Sequence, residues 1–298
     1  MNQVTRTSTS LLNYSMVKSL IFFLSTLLVL SSCTQREWYK KTFTEEVRKQ
    51  YSPQLRAGRG YYYQGSVPEQ FQLKEAFLMD STDADLWREF GTARVKRGIA
   101  DEMDYFYAGA VKRKPEKWAG FRGYLYLYFY RDYQRAIADF DLGDQVNGQV
   151  DYSQGQSHDY MRGICFYGLE QYEDALLYLN RYIDKITTEE GKDWVDVYAH
   201  LYKGLTLAKL DRLEDALVAF DDAEELYPNL ADLFFHRARI ACTRKDYSEA
   251  LALLQKTKEY YNSGYYHQRP YVEVLEQLHM QDIEKIEREI KRRMTSEV

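Results

Sequence analysis

The chain has 298 residues, of which 45% are hydrophobic and 29% are charged, and its formal net charge is −5. This composition is that of an ordinary globular protein, and the negative charge argues against a general nucleic-acid binder, which needs a basic surface. One feature is unusual: the chain contains 28 tyrosines, a residue whose ring and hydroxyl suit both cores and binding surfaces.

The chain begins with an export signal pattern. The apolar run SLIFFLSTLLVL at residues 19–30 follows Lys18 and is shorter than the roughly 20 residues that a membrane-spanning helix needs. It ends in Leu-Ser-Ser-Cys at residues 30–33, which resembles the bacterial lipobox. That resemblance implies a signal peptide at residues 1–32 and acylation of Cys33 at the mature N-terminus. Residues 1–15 are long for the start of such a signal, so translation from Met1 and translation from Met16 both stay open. The alternative is an uncleaved hydrophobic segment with an accidental cysteine.

The residues after Cys33 bear on location. Thr34 follows the cysteine directly. An aspartate at that position resembles the inner-membrane retention signal of Gram-negative lipoproteins, and this chain does not have it. The resemblance therefore implies an exported, lipid-anchored protein on the periplasmic face of the outer membrane. Residues 33–49 are predicted to form the lipid tether and an N-terminal helix, which either packs on the following domain or touches the membrane surface.

A repeated pattern occupies residues 50–264. In its clearest copies Gly204 pairs with Ala238 and Phe220 with Leu254, each pair being 34 residues apart. About six copies fit, with enlarged polar loops at 143–156 and 187–196. The pattern resembles that of the tetratricopeptide repeat (TPR), W-x₂-L-G-x₂-Y…A-x₃-F…P.

This resemblance implies an all-α fold, a right-handed superhelical TPR solenoid of helix-turn-helix repeats without a β-sheet. Small residues let the paired helices approach, and stacked neighbours bury the apolar faces. Residues 265–298 are predicted to form a C-terminal capping helix, because the tail from Arg269 carries apolar residues at spacings of three and four. A partner-binding or coiled-coil helix is the alternative. The apolar stripe consists of Val272, Leu275, Ile283, Ile286 and Ile290.

No catalytic, cofactor-binding or metal-binding motif is recognisable. The five histidines are scattered, and His158 lies in a predicted loop where no nucleophile is implied. We therefore predict a protein that is not an enzyme and has neither a cofactor nor a metal site.

Aromatic residues are the candidate binding set. In TPR families the first helix of each repeat lines a concave groove, and transferring that register to this chain predicts a larger set of groove residues from all six copies, at least half of whose rings are exposed there. The alternative is that these rings belong to the core. In the third copy the register is uncertain by one residue, because Gly123 competes with Tyr124 for the small position. The predicted groove residues are Trp118, Phe121, Tyr128, Tyr160, Tyr198 and Tyr202.

An aromatic groove with few basic anchors favours an extended peptide or an apolar helix as its ligand. The sequence thus predicts a membrane-anchored scaffold or adaptor that binds other proteins or peptides of the bacterial cell envelope, with no nucleic-acid partner. The alternative is a glycan- or peptidoglycan-binding lipoprotein in which the rings stack on sugars.

Overall fold

The computed structural model describes residues 62–296. The predicted signal peptide, Cys33, the predicted tether and residues 50–61 at the start of the first repeat copy lie outside these residues. The described part contains twelve α-helices and one two-stranded hairpin, and none of its helices combines the length and apolar character needed to cross a membrane. The chain divides into two units, residues 1–93 and 94–298.

In the first unit, α1 begins through a side-chain cap. The Ser66 hydroxyl accepts the backbone N–H of Glu69 at 3.4 Å, and the Glu69 carboxylate accepts the N–H of Gly65 at 2.7 Å. These reciprocal bonds satisfy donors at the helix start that have no partner within the helix. Helix α1 spans Val67–Met79, and α2 spans Ala84–Lys96, with its residues from Arg94 onward assigned to the second unit.

The second unit is built mainly of helix pairs. The consecutive pairs α4–α5, α6–α7, α8–α9 and α10–α11 each pack together. We refer to α4, α6, α8 and α10 as the first helices. The elements are α3 (Ala100–Arg113), α4 (Pro115–Leu125) with a π-helical turn (Tyr126–Tyr130), α5 (Tyr133–Asn147), β1 (Tyr152–Ser153), β2 (Gln156–Ser157), α6 (His158–Gly168), α7 (Tyr172–Glu189), a 3₁₀ turn (Lys192–Trp194), α8 (Val197–Lys209), α9 (Leu213–Leu226), α10 (Ala231–Thr243), α11 (Tyr247–Asn262) and α12 (Met280–Ser296).

Three of the four pairs join a glycine to a large side chain. A Cβ added to Gly204 would overlap the Phe220 ring, and one added to Gly163 would lie 2.6 Å from Leu179. In the third copy the same relation joins Gly123 to Phe140, with 2.7 Å between an added Cβ and the ring. The register of the repeat is therefore confirmed, and Gly123 rather than Tyr124 holds the small position.

The π-helical turn after α4 shifts the later side chains. A π-turn accommodates one more residue than an α-turn, so residues beyond Tyr126 advance by about one position. The groove residues of the third copy are predicted with Tyr124 at the small position. Because of the π-turn, Tyr128 still occupies its predicted position in the repeat. Trp118 precedes the turn and lies one position away from its predicted place. Arg131 ends the turn in a left-handed conformation with φ +52°.

A small β-hairpin in the loop after α5 corrects the expectation that no sheet is present. Tyr152 pairs with Ser157, and Ser153 pairs with Gln156. The two turn residues, Gln154 and Gly155, have φ of +54° and +76°, as the tight turns that match strand twist require. Because Gln-Gly is not one of the strong hairpin signals, such as Asn-Gly, the sequence pattern indicated only a loop.

The C-terminal helix is shorter than predicted. It begins at Met280, so the prediction of a capping helix over residues 265–298 is wrong for residues 265–279. Pro270 disfavours helix at its neighbours, and Tyr271 and Glu276 have φ of +70° and +57°. Residues 265–279, hereafter the inner segment, are not helical. Helix α12 packs on α11 through fully buried isoleucines, Ile283 and Ile290.

Candidate functional site

The inner segment lies along the first helices and contacts all four of them or the turns beside them. We call the surface that it covers the groove. The partners are 35 to 145 residues apart in sequence. The hydrogen bonds are Arg131 Nη2 to the Glu273 carbonyl at 3.0 Å, Arg269 Nη1 to the Tyr124 hydroxyl at 3.2 Å, the Tyr167 hydroxyl to Glu276 Oε1 at 2.8 Å, the Tyr202 hydroxyl to the Leu275 carbonyl at 2.8 Å, and the His267 N–H to Asp232 Oδ2 at 2.9 Å.

His267 is the most buried polar anchor of the inner segment, with 3% of its surface exposed. Its ring stacks on Tyr198 with 3.7 Å between centroids and meets Tyr202 edge-on at 5.9 Å. Burial, with a smaller effect of the charge on Arg269, lowers the pKa of His267 to about 3. The imidazole is therefore neutral at pH 7 and packs as an aromatic ring.

The Asp232 carboxylate accepts the backbone N–H of His267. Burial raises the pKa of the Asp232 carboxyl to about 6, although the hydrogen bond from the His267 N–H opposes the shift. The carboxyl lies in the first turn of α10, where the helix dipole favours a negative charge. The site thus recognises both the ring and the backbone N–H of one residue.

Arg269 lies over two tyrosines of α4 and its π-turn. Its guanidinium carbon is 4.2 Å from the Tyr128 ring centroid and 5.8 Å from that of Tyr124, distances typical of cation–π contacts. Asp196, the N-cap of α8, lies near enough for charge to matter. Burial raises the pKa of Asp196, and the positive charge of Arg269 opposes that shift.

The predicted groove residues are brought to this surface only in part. Tyr128, Tyr198 and Tyr202 contact the inner segment. Tyr160 is buried and packs on Tyr182 at 5.5 Å. Phe121 stacks on Tyr107 of α3 at 5.7 Å.

None of the six predicted groove rings is fully exposed. Trp118, Tyr128, Tyr160 and Tyr202 are buried, and Phe121 and Tyr198 are only partly exposed. The physical reason is that the inner segment and neighbouring helices cover these rings.

Sequence reasoning missed the inner segment as the occupant of the groove, together with Arg131, Tyr124 and Asp232 as its partners. The available signal was Pro270, which interrupts the supposed helix.

Two clefts flank the inner segment. The first has a volume of about 440 Å³ and lies beside the turn at Tyr271, which is 85% exposed. The second, of about 420 Å³, lies between α10 and α12. The first is lined by Lys96, Phe129, Tyr130, Arg131, Tyr271 and Val272, and the second by Phe235, Arg239, Glu276, Leu278, Asp282 and Lys285, among others.

A serine–histidine–aspartate arrangement lies at the β-hairpin. His158 Nδ1 is 2.6 Å from Asp144 Oδ1, and His158 Nε2 is 2.9 Å from Ser153 Oγ. The sequence implied no nucleophile beside His158, but the hairpin brings Ser153 to it. The hydrogen bonds run from serine to histidine to aspartate, as they do in a catalytic triad.

The packing around this arrangement indicates a structural role. A Cβ added to Gly120 would overlap both His158 Nε2 and Ser153 Oγ. Helix α4 thus covers the bond between these atoms, where a substrate carbonyl would have to approach. Asp144 also accepts Arg162 Nη2 at 2.7 Å and the Asp151 N–H at 2.9 Å, so the network ties the hairpin to α5 and α6. Within residues 62–296 no cluster of three or more histidine, cysteine or acidic side chains could hold a metal ion.

Comparison with known proteins identifies the fold. No protein-family model and no curated protein matches the chain. A solved structure of Pseudomonas aeruginosa pilF has a TM-score of 0.55 at 14% identity, covering 82% of this chain and 99% of its own. BtubC (BKLC) from P. vanneervenii has a TM-score of 0.53 at 13% identity, covering 79% and 96%.

A tetratricopeptide repeat protein from Parabacteroides merdae covers 93% of this chain and 98% of its own, with a TM-score of 0.49 at 12% identity. At such identities a structural likeness shows the fold alone. Together with the 34-residue register and the small-to-large packing of three helix pairs, the likeness to pilF and BtubC shows that the chain has the TPR fold, an all-α helical solenoid.

Proposed function

We propose that this chain is an interaction scaffold that binds another polypeptide in its groove while a lipid on Cys33 holds it at the bacterial cell envelope. One observation carries the binding role: the groove already holds a non-helical stretch of polypeptide, the inner segment of the chain itself. A surface that accommodates such a stretch in cis has the geometry needed to take one from a partner.

The groove recognises backbone atoms as well as side chains. Arg131 donates to the Glu273 carbonyl, Tyr202 donates to the Leu275 carbonyl, and Asp232 accepts the N–H of His267. Backbone hydrogen bonds give affinity for an extended segment, while pockets for particular side chains give specificity. Sugar stacking finds no such support, because four of the six predicted rings are buried and present no open face.

The binding role can be tested with photo-crosslinking amino acids in whole cells. One pair of positions, Tyr271 and Arg239, lines the clefts that flank the inner segment. The control pair, Leu177 and Val218, is 54% and 59% exposed on the second helices α7 and α9. We expect protein adducts from the cleft positions. Adducts from Leu177 and Val218 alone would mean that a different face binds.

The lipid anchor rests on the sequence pattern at residues 30–33. Acyl chains contribute about 0.8 kcal/mol for each buried CH₂, so two or three would anchor the chain firmly. Substitution of Cys33→Ser is expected to leave an unprocessed precursor without acyl mass. Mass spectrometry of the membrane fraction checks this, and an unmodified mature chain that begins elsewhere would contradict it.

A further inference from the structure

The inner segment places two different side chains in two adjacent sites. His267 enters a site formed by Tyr198, Tyr202 and Asp232, and Arg269 enters a site formed by Tyr124 and Tyr128. We infer that the partner segment carries an aromatic or imidazole ring followed two residues later by an arginine, and that it binds in place of the inner segment. This inference rests on the proposed function and specifies its ligand.

The ring site requires a flat, uncharged group. The centroid distance of 3.7 Å and the interplanar angle of 20° between His267 and Tyr198 leave room only for a planar ring between the segment and α8. A phenylalanine, tyrosine or neutral histidine meets this requirement. The carboxylate of Asp232 then fixes the position of the same residue by accepting its N–H at 2.9 Å.

The cation site selects arginine over lysine. The guanidinium carbon lies over the Tyr128 and Tyr124 rings, and Nη1 also donates to the Tyr124 hydroxyl at 3.2 Å. A planar, weakly hydrated guanidinium stacks and donates at once, whereas an ammonium is a compact, strongly hydrated point charge. Asp196 adds negative charge near this site and so favours a cation.

The spacing of two residues follows from the burial pattern of the inner segment. His267 is buried and Arg269 is partly buried, while Gln268 between them is exposed. The groove therefore reads alternate residues and leaves the intervening one unspecified.

The inner segment competes with any such partner. A tethered ligand has an effective concentration on the order of millimolar. A free segment at micromolar concentration that makes only the same contacts therefore does not displace the inner segment from the groove. The clefts of about 440 and 420 Å³ beside the inner segment offer further contacts. A partner that displaces the inner segment is thus longer than the ring-x-arginine motif and fills at least one cleft.

The test uses a fluorescent synthetic peptide with the sequence of residues 264–279, GYYHQRPYVEVLEQLH. The acceptor is the full chain with residues 265–276 replaced by a glycine–serine stretch of equal length, compared with the native chain by fluorescence anisotropy. Two altered peptides accompany it, one with Arg269→Gln and a matched control with Gln268→Ala. If the replaced chain does not unfold cooperatively, the full chain with His267→Ala and Arg269→Ala takes its place.

The peptide is expected to bind the replaced chain at least tenfold more tightly than the native chain, whose groove is occupied. Arg269→Gln should weaken the peptide about tenfold, since a partly desolvated cation–π contact is worth about 1 to 2 kcal/mol. Gln268→Ala should change the affinity of the peptide less than about twofold, because the Gln268 side chain is exposed and substitutions at exposed positions have small effects. Absence of binding to a folded acceptor overturns the inference, and so does equal binding of the Arg269→Gln and unaltered peptides.

The two proposals fail separately. If cell crosslinks come from Tyr271 and Arg239 but the Arg269→Gln peptide binds as well as the unaltered one, the scaffold function stands and the ring-x-arginine inference falls. If the peptides discriminate as expected but crosslinks come only from Leu177 and Val218, the chemistry of the groove stands and the proposed function falls.

Discussion

Different interactions hold the α8–α9 pair and the inner segment, which buries His267, Val274 and Leu278 and exposes about half of its other residues. In the pair, Gly204 lets the Phe220 ring approach the backbone of α8, and the two residues are 16 positions apart. The inner segment is held by hydrogen bonds and ring contacts to residues 35 to 145 positions away. Its helix-breaking proline and its two residues with positive φ leave it without regular backbone bonding of its own.

This difference separates what makes the fold from what fills the groove. Close packing of a glycine against a large ring is apolar and repeats from pair to pair, so its loss is felt in global stability. Hydrogen bonds to a non-helical segment contribute little net free energy each, because water offers the same bonds when they break. We therefore expect substitutions in the pairs to unfold the protein and substitutions at the inner segment to open only that segment.

The largest effect is expected for Phe220→Ala. This ring is fully buried, and truncation of a buried phenylalanine costs about 3 to 5 kcal/mol because apolar contact is lost and a cavity remains. Urea denaturation measures the change. Val218→Ala on the same helix, at a side chain that is 59% exposed, is the matched control and should change stability by less than about 0.5 kcal/mol. Similar midpoints for the two variants would contradict the packing described for α8–α9.

The repeat pairs could be predicted from sequence because their packing repeats. The spacing of 34 residues and the small residues at fixed positions are visible without a structure, and Gly204 with Phe220 occurs as predicted. The exception is α4, where a π-turn after Leu125 shifts the later residues. Nothing in the run Tyr-Leu-Tyr-Phe-Tyr distinguishes a π-turn from an α-turn.

The sequence predicted some of the residues that line the groove, but it did not predict that the inner segment occupies it. The first-helix register brought Tyr128, Tyr198 and Tyr202 to one face, and these rings do lie together. The inner segment has no period, and its position depends on single hydrogen bonds from distant helices. Spacings of three and four through Val272 and Leu275 indicated a helix, and Pro270 was the only local evidence against it.

Acid is expected to weaken both the helix pairs and the inner segment, through one buried histidine in each. His236 on α10 and His267 in the inner segment have pKa values lowered by burial from 6.5 to about 3. Because the unfolded chain takes up these protons and the folded chain does not, each histidine costs about 1 kcal/mol of stability per pH unit below 6.5. Asp232 acts in the opposite sense: its raised pKa of about 6 adds stability as the pH falls from 6 towards 3.8.

Two variants isolate these contributions in urea titrations between pH 6 and pH 4. His267→Gln removes one proton uptake by the unfolded chain and should make the loss of stability with falling pH shallower by about 1 kcal/mol per unit. Asp232→Asn removes the opposing carboxyl and should make it steeper by a similar amount. The comparison uses slopes, so any change in stability at neutral pH does not affect it. Equal slopes for the three proteins would contradict the burial of these groups.

The smallest effect is expected for Tyr202→Phe. The ring is fully buried and remains in place, but its hydroxyl no longer donates to the Leu275 carbonyl at 2.8 Å. One such bond contributes about 1 kcal/mol, so amides of residues 273–279 should exchange with solvent about fivefold faster, and the free energy of global unfolding should fall by no more than about that 1 kcal/mol. Tyr182→Phe is the control from the repeat pairs, because its hydroxyl accepts the Asp196 N–H at 3.2 Å between α7 and α8. It should leave exchange at residues 273–279 unchanged. Faster exchange there in both variants, or in neither, would mean that the inner segment does not open independently of the helix pairs.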